Sequence, residues 1–244
     1  MKPIGIRYHF ETKDGTNAFF NVELDPETLI SSPPTGELPD WTLLEFRKCP
    51  ECTLSADQHR HCPVAAHLPR LVETFNHLVS HDRALVQVET AERSYAQELS
   101  IQAGMGALMG LIMATSGCPI TSFFRPMARF HLPFATQDET IFRAASAYLL
   151  ADYFWTLENG EEPDRHLSGL KEVYAQVHAL NAAFFTRLKV AARTDASLNA
   201  LVHLDMFALM LPMQVDLRLP AIMEYFRPFL AQRVAARDST GGGN

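Results

Sequence analysis

Four cysteines are the residues of this chain whose spacing promises chemistry: Cys49-x2-Cys52-x9-Cys62-x55-Cys118. Two cysteines separated by two residues can place both sulfurs on one ion, because the backbone turns between them. A third within ten residues closes most of a tetrahedral site. The first three stand in polar sequence, KCPEC and QHRHCP, where packing gives a thiol little reason to be. The spacing therefore predicts that Cys49, Cys52, Cys62 and Cys118 ligate one metal centre.

The occupant follows from how the ligands are grouped. Structural zinc usually draws its ligands in close pairs, whereas here they arrive as three plus one, and Cys49, Cys62 and Cys118 are each followed by proline. A clustered set with a remote Cys-Pro is similar to the ferredoxin arrangement. That favours a [4Fe–4S] cluster used for electron transfer or redox sensing, with zinc in an interaction or regulatory module as the alternative. His59 and His61, beside Cys62, offer a Cys3His zinc site that leaves Cys118 free. A metal-free dithiol at Cys49 and Cys52 is a third reading. Pro63 suits the first position of a helix, so Cys62 sits at a helix N-terminus and is expected to ionise most readily. Directly after Cys118, RPMARFHLPF supplies Arg125, Arg129 and His131 as the groups surrounding the cofactor, where guanidinium charge offsets a negative cluster. The competing reading pairs these arginines with Asp138 or Glu139 and makes His131 a core histidine.

The elements that must position these residues read as α+β. IGIRYHFET and NAFFNVEL alternate around KDGT, and ALVQVET and RSYAQELS alternate around Ala91 and Glu92, giving two β-hairpins in the N-terminal half. Pro63 opens a helix whose apolar stripe runs from Val64 to Val79. LSIQAGMGALMGLIMATSG is about long enough to span a bilayer, yet it holds four glycines and several polar residues and reads as a buried helix ending at Gly117. Thr136 and Glu139 form a capping box that opens a helix through about Trp155. Pro163 is expected to start a further helix, and the rest of a mainly helical C-terminal half is expected to break near Pro212 and Pro220. This divides the chain into an α+β domain over 1–157 that carries the cysteines, a helical extension or subdomain over 163–237, and a disordered tail over 238–244.

A formal net charge of −7 argues against nucleic acid and anionic membrane surfaces. The opening MKPIGIRYHFETKDG has no apolar h-region, so a cytoplasmic location is expected. There, cysteines serve as ligands or reactive thiols more often than as disulfides. No nucleophile elbow and no H-E-x-x-H is present. KCPEC, HCPVA, LIMATSGCP and RPMARFHLPF, in that order over residues 41–157, resemble an uncharacterised bacterial protein family of unknown function. The resemblance implies a bacterial cytoplasmic protein and brings no activity, cofactor or catalytic residue with it. The partner is expected to be a protein or redox partner.

Overall fold

The computed structural model describes residues 2–240, with side chains through Ala236. Strict alternation builds the sheet. Strands β1 (Ile4–Thr12) and β2 (Asn17–Leu24) pair antiparallel with Tyr8 opposite Phe20. Gly15, at φ +91°, makes the turn between them. Strands β3 (Arg83–Glu89) and β4 (Ser94–Ser100) form the second hairpin, and β3 docks antiparallel on β1 with Phe10 opposite Val86. The order is β2-β1-β3-β4. One face carries Tyr8, Phe10, Phe20, Val86 and Val88, all buried. The opposite face is polar, with Arg7 paired to Glu89 at 3.3 Å and His9 held by Gln87 and Asn17.

Helix α1 (Pro63–Ala66) and helix α2 (Pro69–Phe75) replace the single helix expected from Pro63. Pro69 supplies no N–H to continue the first helix and instead starts the second. Helix α3 (Ile101–Thr115) begins with the Ala103 N–H donating to the Ser100 hydroxyl, and Gly117, at φ +91°, follows its end. It lies on the buried face of the sheet. A Cβ at Gly104 would stand 2.8 Å from Phe10 Cε1 and 2.9 Å from Val86 Cγ2, so glycine is what allows this approach. At 15 residues, with most of its side chains buried, α3 is the core helix the sequence suggested.

The short helix α4 (Arg125–Arg129) leads to α5 (Gln137–Asn159), which starts on the expected capping box. Helix α6 (Ser168–Ala191) begins five residues after Pro163, because Asp164 accepts the N–H groups of His166 and Gly169 and holds the approach as a loop. Helix α7 (Ala196–Met223) runs straight through Pro212 and Pro220, correcting the expected breaks. Each proline removes a backbone hydrogen bond at a cost of about 3 kcal/mol, but Ala208, Leu211, Val215 and Ile222 keep α7 seated at helical spacing in a buried core. Helix α8 (Arg227–Thr240) follows a short 3-10 turn and takes in residues 238–240, correcting that part of the expected disordered tail, while residues 241–244 lie outside the described residues.

The first core lies under the sheet and takes in Cys62, Cys118 and, from α6 and α7, Phe184, Leu188, Ala200 and Leu201. The second joins α5, α6 and α7 through Ile141, Leu170, Tyr174 and Leu211. Among the described residues one helical run, Ala196–Ala236, is long and apolar enough by length and composition to cross a bilayer, and 33% of its apolar window is buried.

Candidate metal centre

Three segments carry the cysteines to one region. Cys49 and Cys52 lie on the loop after a 3-10 turn at Asp40–Thr42, and the Cys52 N–H donates to the Cys49 carbonyl at 3.1 Å, closing the turn between them. The Cys62 N–H donates to the Thr42 carbonyl at 2.8 Å, which ties the end of this loop to its beginning. Cys118 follows the end of α3, its N–H bonded to the Ser116 hydroxyl at 3.3 Å. Cys62 and Cys118 are buried, Cys49 and Cys52 half-buried, and all four are free thiols.

Two of the three Cys-Pro turns, those at Cys62 and Cys118, are built alike. Proline after the cysteine fixes φ and donates nothing, and the two residues beyond it turn their N–H groups to the sulfur: Val64 and Ala65 onto Cys62, Ile120 and Thr121 onto Cys118. Such donors favour thiolate. Burial works against them and prevails, so both thiols are raised above the ordinary range. The expectation that Cys62 ionises most readily is corrected for that reason: α1 is a single turn, and desolvation outweighs its N–H groups. Cys49 is pushed up to about 11, first by burial and then by the neighbouring thiols of Cys62, Cys118 and Cys52. The four are thus electrostatic neighbours. Among the described residues, however, no three His, Cys, Asp or Glu side chains gather so as to hold a metal ion.

Arg187, on α6, is the residue that spacing did not disclose. It is 1% exposed, and its guanidinium donates to the carbonyls of Trp41 (2.8 Å), Leu43 (2.6 Å) and Leu44 (3.1 Å), bracing the start of the cysteine loop. Among the described residues its buried Nε has no partner. The ionisable groups that act on its charge are Cys62, Cys49 and Cys52, with no carboxylate among them. The sequence signal was an arginine inside an apolar stripe, Leu180, Phe184, Arg187 and Ala191, a position where a charge is buried only with partners.

Of the residues expected around the cofactor, Arg129 and His131 are engaged elsewhere. Arg129 reaches the β3–β4 turn and pairs with Glu92 at 3.4 Å, rather than with Asp138 or Glu139. Arg125 keeps a buried Nε without a partner. His131 Nε2 lies 2.6 Å from the Tyr8 hydroxyl. Among the described residues that fully buried phenol has no other partner; with its O–H donating to Nε2, a neutral imidazole holds its proton on Nδ1. Among the described residues none of the three bonds a cysteine. His61, the alternative ligand, is also committed: the Thr42 hydroxyl donates to the Pro39 carbonyl and accepts from His61 Nδ1, each at 2.7 Å.

A family model described as a domain of unknown function, DUF6901, matches residues 6–227. No curated protein and no solved structure matches the chain.

Proposed function

The chain belongs to the DUF6901 family, which brings no activity with it, and we propose that Cys49, Cys52, Cys62 and Cys118 bind a thiolate-ligated [4Fe–4S] cluster for electron transfer or redox sensing in a bacterial cytoplasm. The observation that carries this reading is Arg187. An arginine 1% exposed, with thiols as the acidic groups acting on it and an unsatisfied Nε, calls for a negatively charged neighbour. Four thiolates around a metal centre supply one, and Arg187 in turn offers charge compensation and an N–H donor, both of which tune a cluster's potential.

Two further points bear on the occupant. The N–H groups aimed at Cys62 and Cys118 suit sulfur that is a metal-bound thiolate, because metal binding displaces the protons that burial otherwise retains. Zinc, with bonds of about 2.3 Å, needs its sulfurs drawn into one tight tetrahedron. The four thiols are electrostatic neighbours but, among the described residues, do not gather around a single ion. Zinc remains the second reading, since Cys62 and Cys118 join loop, α1 and α3 at one core, where a structural ion would staple them. The raised Cys49 thiol weakens the dithiol reading, because thiolate is the exchanging species.

The test is iron, zinc and acid-labile sulfide analysis, with a visible spectrum, on protein purified without oxygen. The cluster reading predicts a brown protein with about four irons per chain and loss of iron and sulfide in Cys118→Ser. Full iron and sulfide in that variant would overturn it. A colourless protein with about one zinc would give the site to the staple.

A further inference from the structure

A cavity of about 740 Å³ lies between α3, the loop 131–137 and the facing sides of α5, α6 and α7. That is within the range of small-molecule sites, about 300–1,000 Å³, and its walls are mostly apolar with a few polar groups, as such sites are. Ala103, Ala107, Gly110 and Ala114 recur along one side of α3 and keep that wall low. What points to a ligand is the polar remainder.

Asn181 lines the cavity and is 2% exposed. Its Nδ2 donates to Asp205 at 3.1 Å, while its Oδ1 is buried with no partner. Leaving a buried amide oxygen unpaired is costly, so it awaits a donor. Arg143 also lines the cavity. It is the only lysine or arginine among the described residues that do so, and no aspartate or glutamate lines it. Three of its five N–H donors go to the carbonyls of Met127, Phe130 and Leu132, and it makes no ion pair among the described residues. Tyr174, buried on α6, bonds no other described side chain, and Arg143 is the charged group acting on it. Burial holds this phenol in its protonated, donating form.

We infer that this cavity binds an apolar monocarboxylate whose far end carries a hydrogen-bond donor. Arg143 and the Tyr174 hydroxyl receive the carboxylate. A single guanidinium, with the lining His131 and His203 kept neutral by desolvation, matches one negative charge rather than a phosphate ester. Tyr174, Val177 and Asn181 share one face of α6, and seven residues separate the first from the last, about 10 Å along the axis. The apolar body therefore runs along Val177, and the distal donor meets Asn181 Oδ1. The site is independent of the metal reading, since none of its polar groups acts on a cysteine.

Calorimetric titration of the full chain with decanoate, ω-hydroxydecanoate, decanol and decylamine, each below its micellar concentration, tests this. Decanoate should bind at least tenfold tighter than decanol, with decylamine weakest, and ω-hydroxydecanoate should bind tighter than decanoate. Arg143→Gln should erase the preference for decanoate over decanol, and Asn181→Leu should erase the gain from the hydroxyl. Because Arg143 also holds three carbonyls, the comparison of decanoate with decylamine on the unaltered protein stands as a test that needs no variant. Absence of decanoate binding, or equal affinity for carboxylate and amine, overturns the inference.

Discussion

Lowering the pH from 7 to 4 should destabilise this protein through one histidine. His131 is half-buried against Tyr8, and desolvation, with Arg143 adding to it, pushes its imidazole down from 6.5 to about 4. The base is weaker folded than unfolded, so between those two values the unfolded chain binds the proton first and stability falls as pH falls. A shift of about 2.5 units at about 1.4 kcal/mol each sets a ceiling of about 3.4 kcal/mol. At pH 4 half of the folded histidine is itself protonated, which leaves about 3 kcal/mol lost relative to pH 7. That is a large part of a total stability of about 5–15 kcal/mol. His131→Gln keeps an acceptor for the Tyr8 hydroxyl and cannot titrate. Urea unfolding of both proteins, followed by circular dichroism at pH 7 and pH 4, isolates the term, because the carboxylates titrate alike in both. The unaltered protein should lose about 3 kcal/mol more than His131→Gln. Equal losses would refute the placement of a neutral imidazole in this pocket.

Two other substitutions probe the frame. Arg187→Met removes the donor shared by the carbonyls of Trp41, Leu43 and Leu44 and should cost at least about 3 kcal/mol, at about 1–3 kcal/mol for each of the three orphaned groups. Calorimetry should show Tm lower by several degrees, and metal content should fall with it; an unchanged Tm would mean that Arg187 does not brace the cysteine loop. Gly104→Ala should cost about 1–3 kcal/mol by overpacking, since the new methyl meets Phe10 and Val86 below 3 Å. A neutral result in urea unfolding would show that α3 has slack against the sheet.

What the sequence determined by itself is local. The two hairpins follow from alternation around short turns, with Gly15 at the first. Thr136 and Glu139 satisfy helix donors within a few residues of themselves, and Gly117 takes the left-handed conformation just after α3 ends. Each of these rests on neighbours a few positions apart, which a reading along the chain can see. Tertiary structure decided the rest. Pro212 and Pro220 stay inside α7 because its apolar side is buried in the second core, and α6 begins at Ser168 because Asp164 accepts the N–H groups of His166 and Gly169 and holds the approach as a loop. Arg187 reaches Leu44 across 143 positions, and His131 reaches Tyr8 across 123. Spacing singles out the cysteines as a candidate set, but it discloses neither the cation beside them nor the cavity around Arg143. Partners that distant are chosen by how helices pack on a sheet, and no periodicity along the chain records which buried group will face which.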